Sequence, residues 1–397
     1  MAWADLGLSA LGIPVLACAG YLFLLTLLSA KLPLPARATP KTRFRVLIPA
    51  HNEALGIRST IENLRALDYP VELFDVLVIA DNCVDDTAAQ ASAAGALVLT
   101  RTNDVERGKG YALHYAFDRL PANVDAAVVI DADTVVSPNL LRAFAARLES
   151  GACAVQADYA VRNAMAAWRT RLIAIAFGAF HVVRSRGRER LGVSAGLRGN
   201  GMCFSARVLR EVPHEAYSIV EDVEYGIRLA EAGHRVYYAD EAHVYGEMVT
   251  NAKAAESQRE RWEGGRAALT RKYASRLLRR GLAGNRVLLD LGIDVLVPPL
   301  SRLAVAAALG LVIAVVGGLV TGGFRVSGTV FGASVAAIAI YVLRGWMVSG
   351  TGAQGLLDLA LAPAYVVWKI ALRLRRRPAT SAWVRTSREA ERPETPS

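Results

Sequence analysis

Apolar and polar positions change period several times along the chain. "FRVLIPA" (44–50), "FDVLVIAD" (74–81), "ALVLTR" (96–101) and "DAAVVIDAD" (125–133) are short runs of β-formers, two of them ending in aspartate. Between them, "LGIRSTIENLRAL" carries apolar residues at helical spacing. "VDDTAAQASAAG" opens a helix at Asp85 or Asp86 and stops at Gly95, and "GYALHYAFDRL" is helical again. Apolar strands alternating with helices predict an α/β domain whose mostly parallel sheet is covered on both faces. Such sheets bind ligands beyond the carboxyl ends of their strands. Polar residues gather at those ends: His51, Asn52 and Glu53 after the first strand, Asp81 and Asn82 after the second, Asp131 and Asp133 after the fourth. In "SPNLLRAFAARL", Ser137 is the expected N-cap of the next helix, with Pro138 at its first position.

The flanks have another pattern. Residues 6–30 carry no charge over 25 positions, which as a helix gives roughly 37 Å, enough to cross a bilayer with tilt. Positive residues (Lys31, Arg37, Lys41, Arg43, Arg45) follow this segment rather than precede it. That order predicts an uncleaved anchor over 1–35 with its downstream side cytoplasmic. Residues 303–324 and 326–343 are two further uncharged runs joined by "TGGFR", a predicted membrane hairpin. Asp290 and Asp294 fall on one face of 287–300, so an interfacial helix is expected there. The run 356–372 is interrupted by Asp358, Pro363 and Lys369, and a basic tail occupies 373–397. Three crossings and an interfacial helix keep that tail and the 40–280 domain in the cytoplasm, at a bacterial inner or other plasma membrane.

The net charge of +10 concentrates in arginine runs at 184–190, 259–280 and 373–377. Their neighbourhood to apolar segments points to anionic lipid headgroups rather than nucleic acid. Cys18, Cys83, Cys153 and Cys203 are scattered without metal-ligand spacing, which indicates neither a zinc site nor a disulfide framework.

Asp131 and Asp133 are two apart in an extended stretch, so their side chains point the same way. Two carboxylates that close repel unless a cation lies between them. A hard divalent ion, Mg²⁺ or Mn²⁺, takes one or two carboxylates and completes its shell with substrate phosphates.

The ordered set "IPAHNEALGI", "VIADNCVDDTA", "RGKGYAL", "DADT", "GRERLGVSAGLRGNGMCFS", "VEDVEYGIRLAEAGHRVYY" and "QRERWEGGR" resembles the membrane-bound family 2 glycosyltransferases of GT-A fold, the group of cellulose synthase, hyaluronan synthase and ceramide glucosyltransferase. The resemblance covers about residues 44–270. It implies an inverting enzyme that uses a nucleotide-sugar, most simply a UDP-sugar. It also implies roles. Asp131 and Asp133 would hold the metal and the donor diphosphate. Glu53 and Asp81 would border the nucleoside, and Lys109 the base or diphosphate. Asp222 would be the general base, with Val-Glu before it where the family usually has Thr-Glu. Gln258, Arg261 and Trp262 would serve the donor side, and Gly199, Asn200, Gly201 and Glu221 the acceptor side.

A polysaccharide or other glycan is the first expected acceptor, and a lipid receiving a single sugar is the alternative. Membrane lipids, and an export partner or a second copy of the chain, are the other expected partners. "DADTV" also fits a phosphatase nucleophile motif, but that motif belongs on a first strand and here follows the fourth. A non-catalytic membrane sensor of nucleotide-sugars is the rival from outside the enzymes.

Overall fold

The computed structural model of the protein describes residues 2–36, 39–248, 252–323 and 325–361, with the backbone alone for residues 2 and 252–263. The chain forms two compact units. One gathers residues up to Ala30, Ala174–Gly192 and residues from Ala268 onward; the other holds Lys31–Ile173 and Val193–Ala267. Of residues 40–280, grouped as one domain from the sequence, 174–192 and 268–280 fall in the first unit. Residues 174–192 join the helical unit because their apolar side chains have apolar partners there. Ala179 and Val183 pack in one cluster with Ala19, Leu22, Ile338 and Tyr341.

The α/β unit is built on eight strands: β1 (Phe44–Ala50), β2 (Phe74–Asp81), β3 (Leu97–Arg101), β4 (Ala126–Val129), β5 (Val135–Val136), β6 (Ala154–Val161), β7 (Met202–Ser205) and β8 (Val236–Gly246). They form one sheet in the order β3-β2-β1-β4-β7-β6-β8-β5. The half read from the sequence, β3 to β4, is parallel throughout, with Phe44 opposite both Phe74 and Ala126. The other half is mixed: β7 runs antiparallel to β4 and β6, β5 antiparallel to β8, and β6 parallel to β8.

Alternate residues of the strands feed two cores. Val46, Ile48, Val78 and Val128 meet Ile57, Ile61, Leu64 and Phe144 on one face. Leu47, Ile79 and Val129 meet Leu113, Phe117 and Tyr225 on the other. Each fully buried side chain of this size contributes about 1.5–3 kcal/mol, which fixes the register and so the positions of the strand ends. Ser137 does not cap the next helix. That helix is Leu140–Glu149, with Asn139 at its N-cap. The Ser137 hydroxyl instead accepts from the His243 backbone N–H at 2.9 Å, tying the segment to β8.

In the helical unit, Trp3–Leu27, Leu300–Thr321 and Arg325–Val348 are long and apolar enough to cross a membrane. The first and third run parallel and are tied at both ends. Asp5 accepts from the backbone N–H groups of Val326 and Ser327 at 3.2 and 2.9 Å. At the other end, Arg344 donates to the Ser29 hydroxyl at 2.9 Å and to its carbonyl at 3.0 Å.

Asp290 and Asp294 do share one face of the Arg286–Leu296 helix, but that face is buried against arginines. Arg188 pairs with Asp290 at 2.6 Å and Arg184 with Asp294 at 3.1 Å. Tyr21 and Tyr341 join the cluster, donating to Asp290 at 2.8 Å and accepting from Arg184 at 3.0 Å respectively. These two arginines of the 184–190 run are thus internal counter-ions rather than lipid-facing charges. Periodicity gave the face, and burial of opposite charges together decided its partner. Residues 362–397, including the basic tail and most of the 356–372 run, lie outside the described residues.

Candidate functional site

The carboxyl ends of β1, β2 and β4 bring together the polar residues that follow them. After β1 and β2 the chain turns through left-handed residues, Asn52 at φ +58° and Asn82 at φ +51°, a conformation asparagine tolerates better than most residues. The Asn52 side chain accepts from the Val84 N–H and that of Asn82 from the Asn103 N–H, both at 2.8 Å. These turns join the segment after β1 to the end of β2 and the loop beyond it. The Glu53 N–H donates to the Thr87 hydroxyl at 2.7 Å. His51 Nδ1 meets the Asp81 carbonyl at 2.8 Å. Asp81 is buried and accepts from Arg101 at 2.8 Å. Arg101, from the end of β3, is a site-edge residue that motif reading passed over. Its guanidinium lies 6.0 Å from the Tyr111 ring centroid, and Tyr111 stacks on Tyr217 at 4.2 Å.

Beyond β4, Ala132 turns into the core, and its carbonyl accepts from the Thr60 hydroxyl at 2.8 Å. Asp131 and Asp133, one on either side, stay half-buried. Both act on the Tyr159 hydroxyl. Burial first, then the charges of Asp131 and Asp133, push its pKa well above the ordinary tyrosine value. The two carboxylates therefore face common ground. Tyr159 comes from β6, just past a break in its pairing with β8 at Ala157/Asp158, and no sequence pattern marks it.

Asn200 is fully buried and supports this turn from beneath. Its side-chain oxygen accepts from the Asp131 N–H at 3.2 Å, and its amide donates to the Thr134 hydroxyl at 2.7 Å. Its side chain thus ties the Asp-Ala-Asp turn to Thr134. Gly201 follows at φ +68°, where a Cβ would stand 2.8 Å from Val244, so the loop lies close on β8 only because this residue is glycine.

Lys109 opens the Lys109–Phe117 helix. Its ammonium donates to Asp131 and, at 2.5 Å, to the Gly199 carbonyl. Burial opposes its charge, but Asp131, Glu221 and Asp222 outweigh that effect and raise its pKa. Glu221 and Asp222 start the Glu221–Glu231 helix. Burial pushes Glu221 up to about 8, with Lys109 pulling it down and Asp222 pushing it further up. Asp222 is also raised by burial, but the Val223 N–H, Lys109 and Arg198 favour its ionised form. An ideal Cβ on Gly199 would lie 3.6 Å from Asp222 Oδ2.

The helix bearing Lys109 and the loop leading to Glu221 meet at Gly110. A Cβ there would be 2.2 Å from the Ala216 carbonyl oxygen. Gln258, Arg261 and Trp262 fall within the Ala252–Leu282 helix, and their side chains lie outside the described residues.

The donor set fits a hard cation that shares its shell with a ligand. It offers two carboxylates on one side of a turn, in a neighbourhood where Asp131, Glu221 and Asp222 all act on one ammonium. Among the described residues there is no group of three or more His, Cys, Asp or Glu side chains that makes a dedicated protein metal site. Two carboxylates with phosphate oxygens completing the shell is the usual arrangement for Mg²⁺.

Comparison with known proteins agrees with this architecture. "Probable glycosyltransferase YdaM" of Bacillus subtilis is 26% identical over 257 residues, covering 62% of this chain and 60% of the relative. "Beta-monoglucosyldiacylglycerol synthase" of Synechocystis is 29% identical over 241 residues, covering 58% of this chain and 49% of the relative. The chain thus spans about half to three-fifths of the length of these relatives. Among solved structures, the mannosyltransferase PcManGT of Pyrobaculum calidifontis, in complex with GDP-Man and Mn²⁺, superposes with a TM-score of 0.51 at 18% identity, over 85% of this chain and 99% of that one. That likeness establishes the GT-A fold. The family model "Glycosyltransferase like family 2" matches residues 40–265, the strands and turns just described, and the chain belongs to that family.

Proposed function

We propose that the protein transfers a sugar, with inversion, from a nucleotide-diphospho-sugar to an acceptor at the membrane. The carrying observation is the convergence of Asp131, Lys109, Gly199, Glu221 and Asp222 at the carboxyl edge of the sheet. Asp222 takes the proton of the acceptor hydroxyl as its oxygen bonds to the anomeric carbon. The bond from that carbon to the diphosphate oxygen breaks on the opposite face, and the electron pair leaves with the nucleoside diphosphate. The Val223 N–H, Lys109 and Arg198 all favour the ionised form of Asp222, and a base must be ionised to accept a proton. Asp131 and Asp133 would hold Mg²⁺ or Mn²⁺, which supplies neutralisation of the charge that grows on the leaving diphosphate. Asp81 and Glu53 border the nucleoside, with Arg101 fixing the Asp81 carboxylate. Gln258, Arg261 and Trp262 keep the donor-side role implied by the motif.

The domain partition proposed is an anchor over 1–35, a cytosolic transferase over 40–280 whose segments 174–192 and 268–280 belong to the helical unit, interfacial and spanning helices over 281–372, and a basic tail over 373–397. The parallel pairing of the first and third spans supports it, since both then begin on the same side. A glycan acceptor is one reading. A lipid acceptor is favoured by the modest helical unit, with three spans among the described residues, and by the name of the Synechocystis relative.

The test is the full chain in lipid nanodiscs, screened against nucleotide-sugars with lipid and oligosaccharide acceptors. Transfer that stops in chelator and returns with Mn²⁺ or Mg²⁺ is the expected result. Tight nucleotide-sugar binding without any hydrolysis or transfer would instead make the protein a sensor.

A further inference from the structure

Lys109 is the one cationic group described against both the metal-candidate carboxylate and the acid pair. Its ammonium lies on Asp131 and on the Gly199 carbonyl, with Glu221 and Asp222 acting on it from the start of the Glu221–Glu231 helix. The pair is not sealed: the Lys109 and Asp131 side chains keep 25% and 32% of their surface exposed. The structural pair Arg188–Asp290 keeps 1% and 8%. A pair meant only to hold the fold together resembles the second case; the first can be entered from solvent. Lysine is also suited to exchange partners, being a compact charge on a flexible four-carbon stem. A divalent cation that takes Asp131 must compete with this ammonium for the same oxygen. Two positive charges at contact distance repel, so the lysine has to move, and a diphosphate arriving with the cation gives it a new anion.

We infer that Lys109 is a built-in stand-in for the divalent cation, occupying Asp131 while the donor is absent and thereby making cation binding depend on the nucleotide. The inference rests on the Asp131/Asp133 reading proposed above. It adds an order to events: cation alone binds weakly, and cation and nucleoside diphosphate bind together. Coupling of this kind is reciprocal, so each ligand tightens the other by the same factor.

The experiment measures free Mn²⁺ by electron paramagnetic resonance during titration of the full chain in nanodiscs, with and without saturating UDP or GDP. Wild type, Lys109→Met, Lys109→Gln and Lys109→Arg are compared, and thermal melting shows which variants are folded. In wild-type protein the better nucleotide should tighten Mn²⁺ binding strongly. Removing the charge, as Met or as Gln, should tighten Mn²⁺ binding without nucleotide by about tenfold and shrink the nucleotide effect by about the same factor. Arginine should behave as wild type. Unchanged or weaker nucleotide-free Mn²⁺ binding in a folded neutral variant overturns the inference and leaves the metal reading standing. Wild-type protein that binds no Mn²⁺ even with nucleotide overturns both.

Discussion

Glu221→Gln separates the two neighbouring acids, and its effect can be worked from the fold. Glu221 is buried at the start of its helix, and burial is the main reason its pKa reaches about 8. Against an ordinary 4.5, that position favours the protonated carboxyl by on the order of 5 kcal/mol. The sign follows from linkage. The folded state holds the proton more tightly than the unfolded state, so the contribution is fully present below pH 4.5 and is lost as pH rises through about 8. Glutamine imitates the protonated form at every pH. At pH 4 wild type and variant should melt alike, and at pH 9 the variant should melt higher by roughly 10–20 °C, taking 2–4 °C per kcal/mol for a unit of this size. The assay is tryptophan-fluorescence melting in nanodiscs across that range, paired with turnover at saturating donor. Turnover should stay within a few-fold of wild type, because the proposed proton acceptor is Asp222. Parallel melting profiles would refute the burial argument. A turnover loss of about 10²–10⁴ in Glu221→Gln, absent from Asp222→Asn, would transfer the base role to Glu221.

Three further outcomes are expected. Arg188→Met leaves Asp290 and Asp294 short of a counter-ion and should cost about 3–5 kcal/mol in chemical or thermal unfolding; Asp290→Leu added to it should recover most of that loss. Gly110→Ala drives a methyl to 2.2 Å from the Ala216 carbonyl oxygen, and the shift should cost about 1–3 kcal/mol and lower turnover, since the same loop leads to Glu221 and Asp222; unaltered melting and turnover would count against that close approach. Gly323→Cys, between the second and third spans, should react with a membrane-impermeant maleimide in intact cells, whereas Ser59→Cys on the α/β unit should react only after lysis; the opposite pattern would invert the topology.

Much of the α/β half was legible because its signals are local. β1 and β2 coincide with "FRVLIPA" and "FDVLVIAD" to the residue. Uninterrupted apolar runs announce strands buried on both faces, and a sheet of that kind fixes where its polar ends lie. The spacing of Asp131 and Asp133 reads as extended backbone, whereas β4 ends at Val129 and the two flank a turn whose Ala132 is buried in the core. The three spans were legible for a similar reason, since a bilayer demands length and apolarity from each helix by itself.

What the sequence could not decide is which distant residues share a charge. Ser137 reads as an N-cap by local chemistry, yet it bonds the His243 backbone across the sheet. Asn200 reads as part of a glycine-rich loop on the acceptor side, and only the fold shows its side chain buried beneath Asp131. The arginines of 184–190 read as a basic surface, yet Arg184 and Arg188 neutralise Asp294 and Asp290 about a hundred residues away. Lys109, Asp131, Gly199, Glu221 and Asp222 come from four separate segments. Their ionisation depends on burial and on one another, and both exist only after folding. Composition and period fixed the elements and the direction each side chain faces along its own strand or helix. Tertiary packing alone decided what each charge meets, because electrostatic energy depends on distance in space and on exclusion of water, and sequence separation encodes neither.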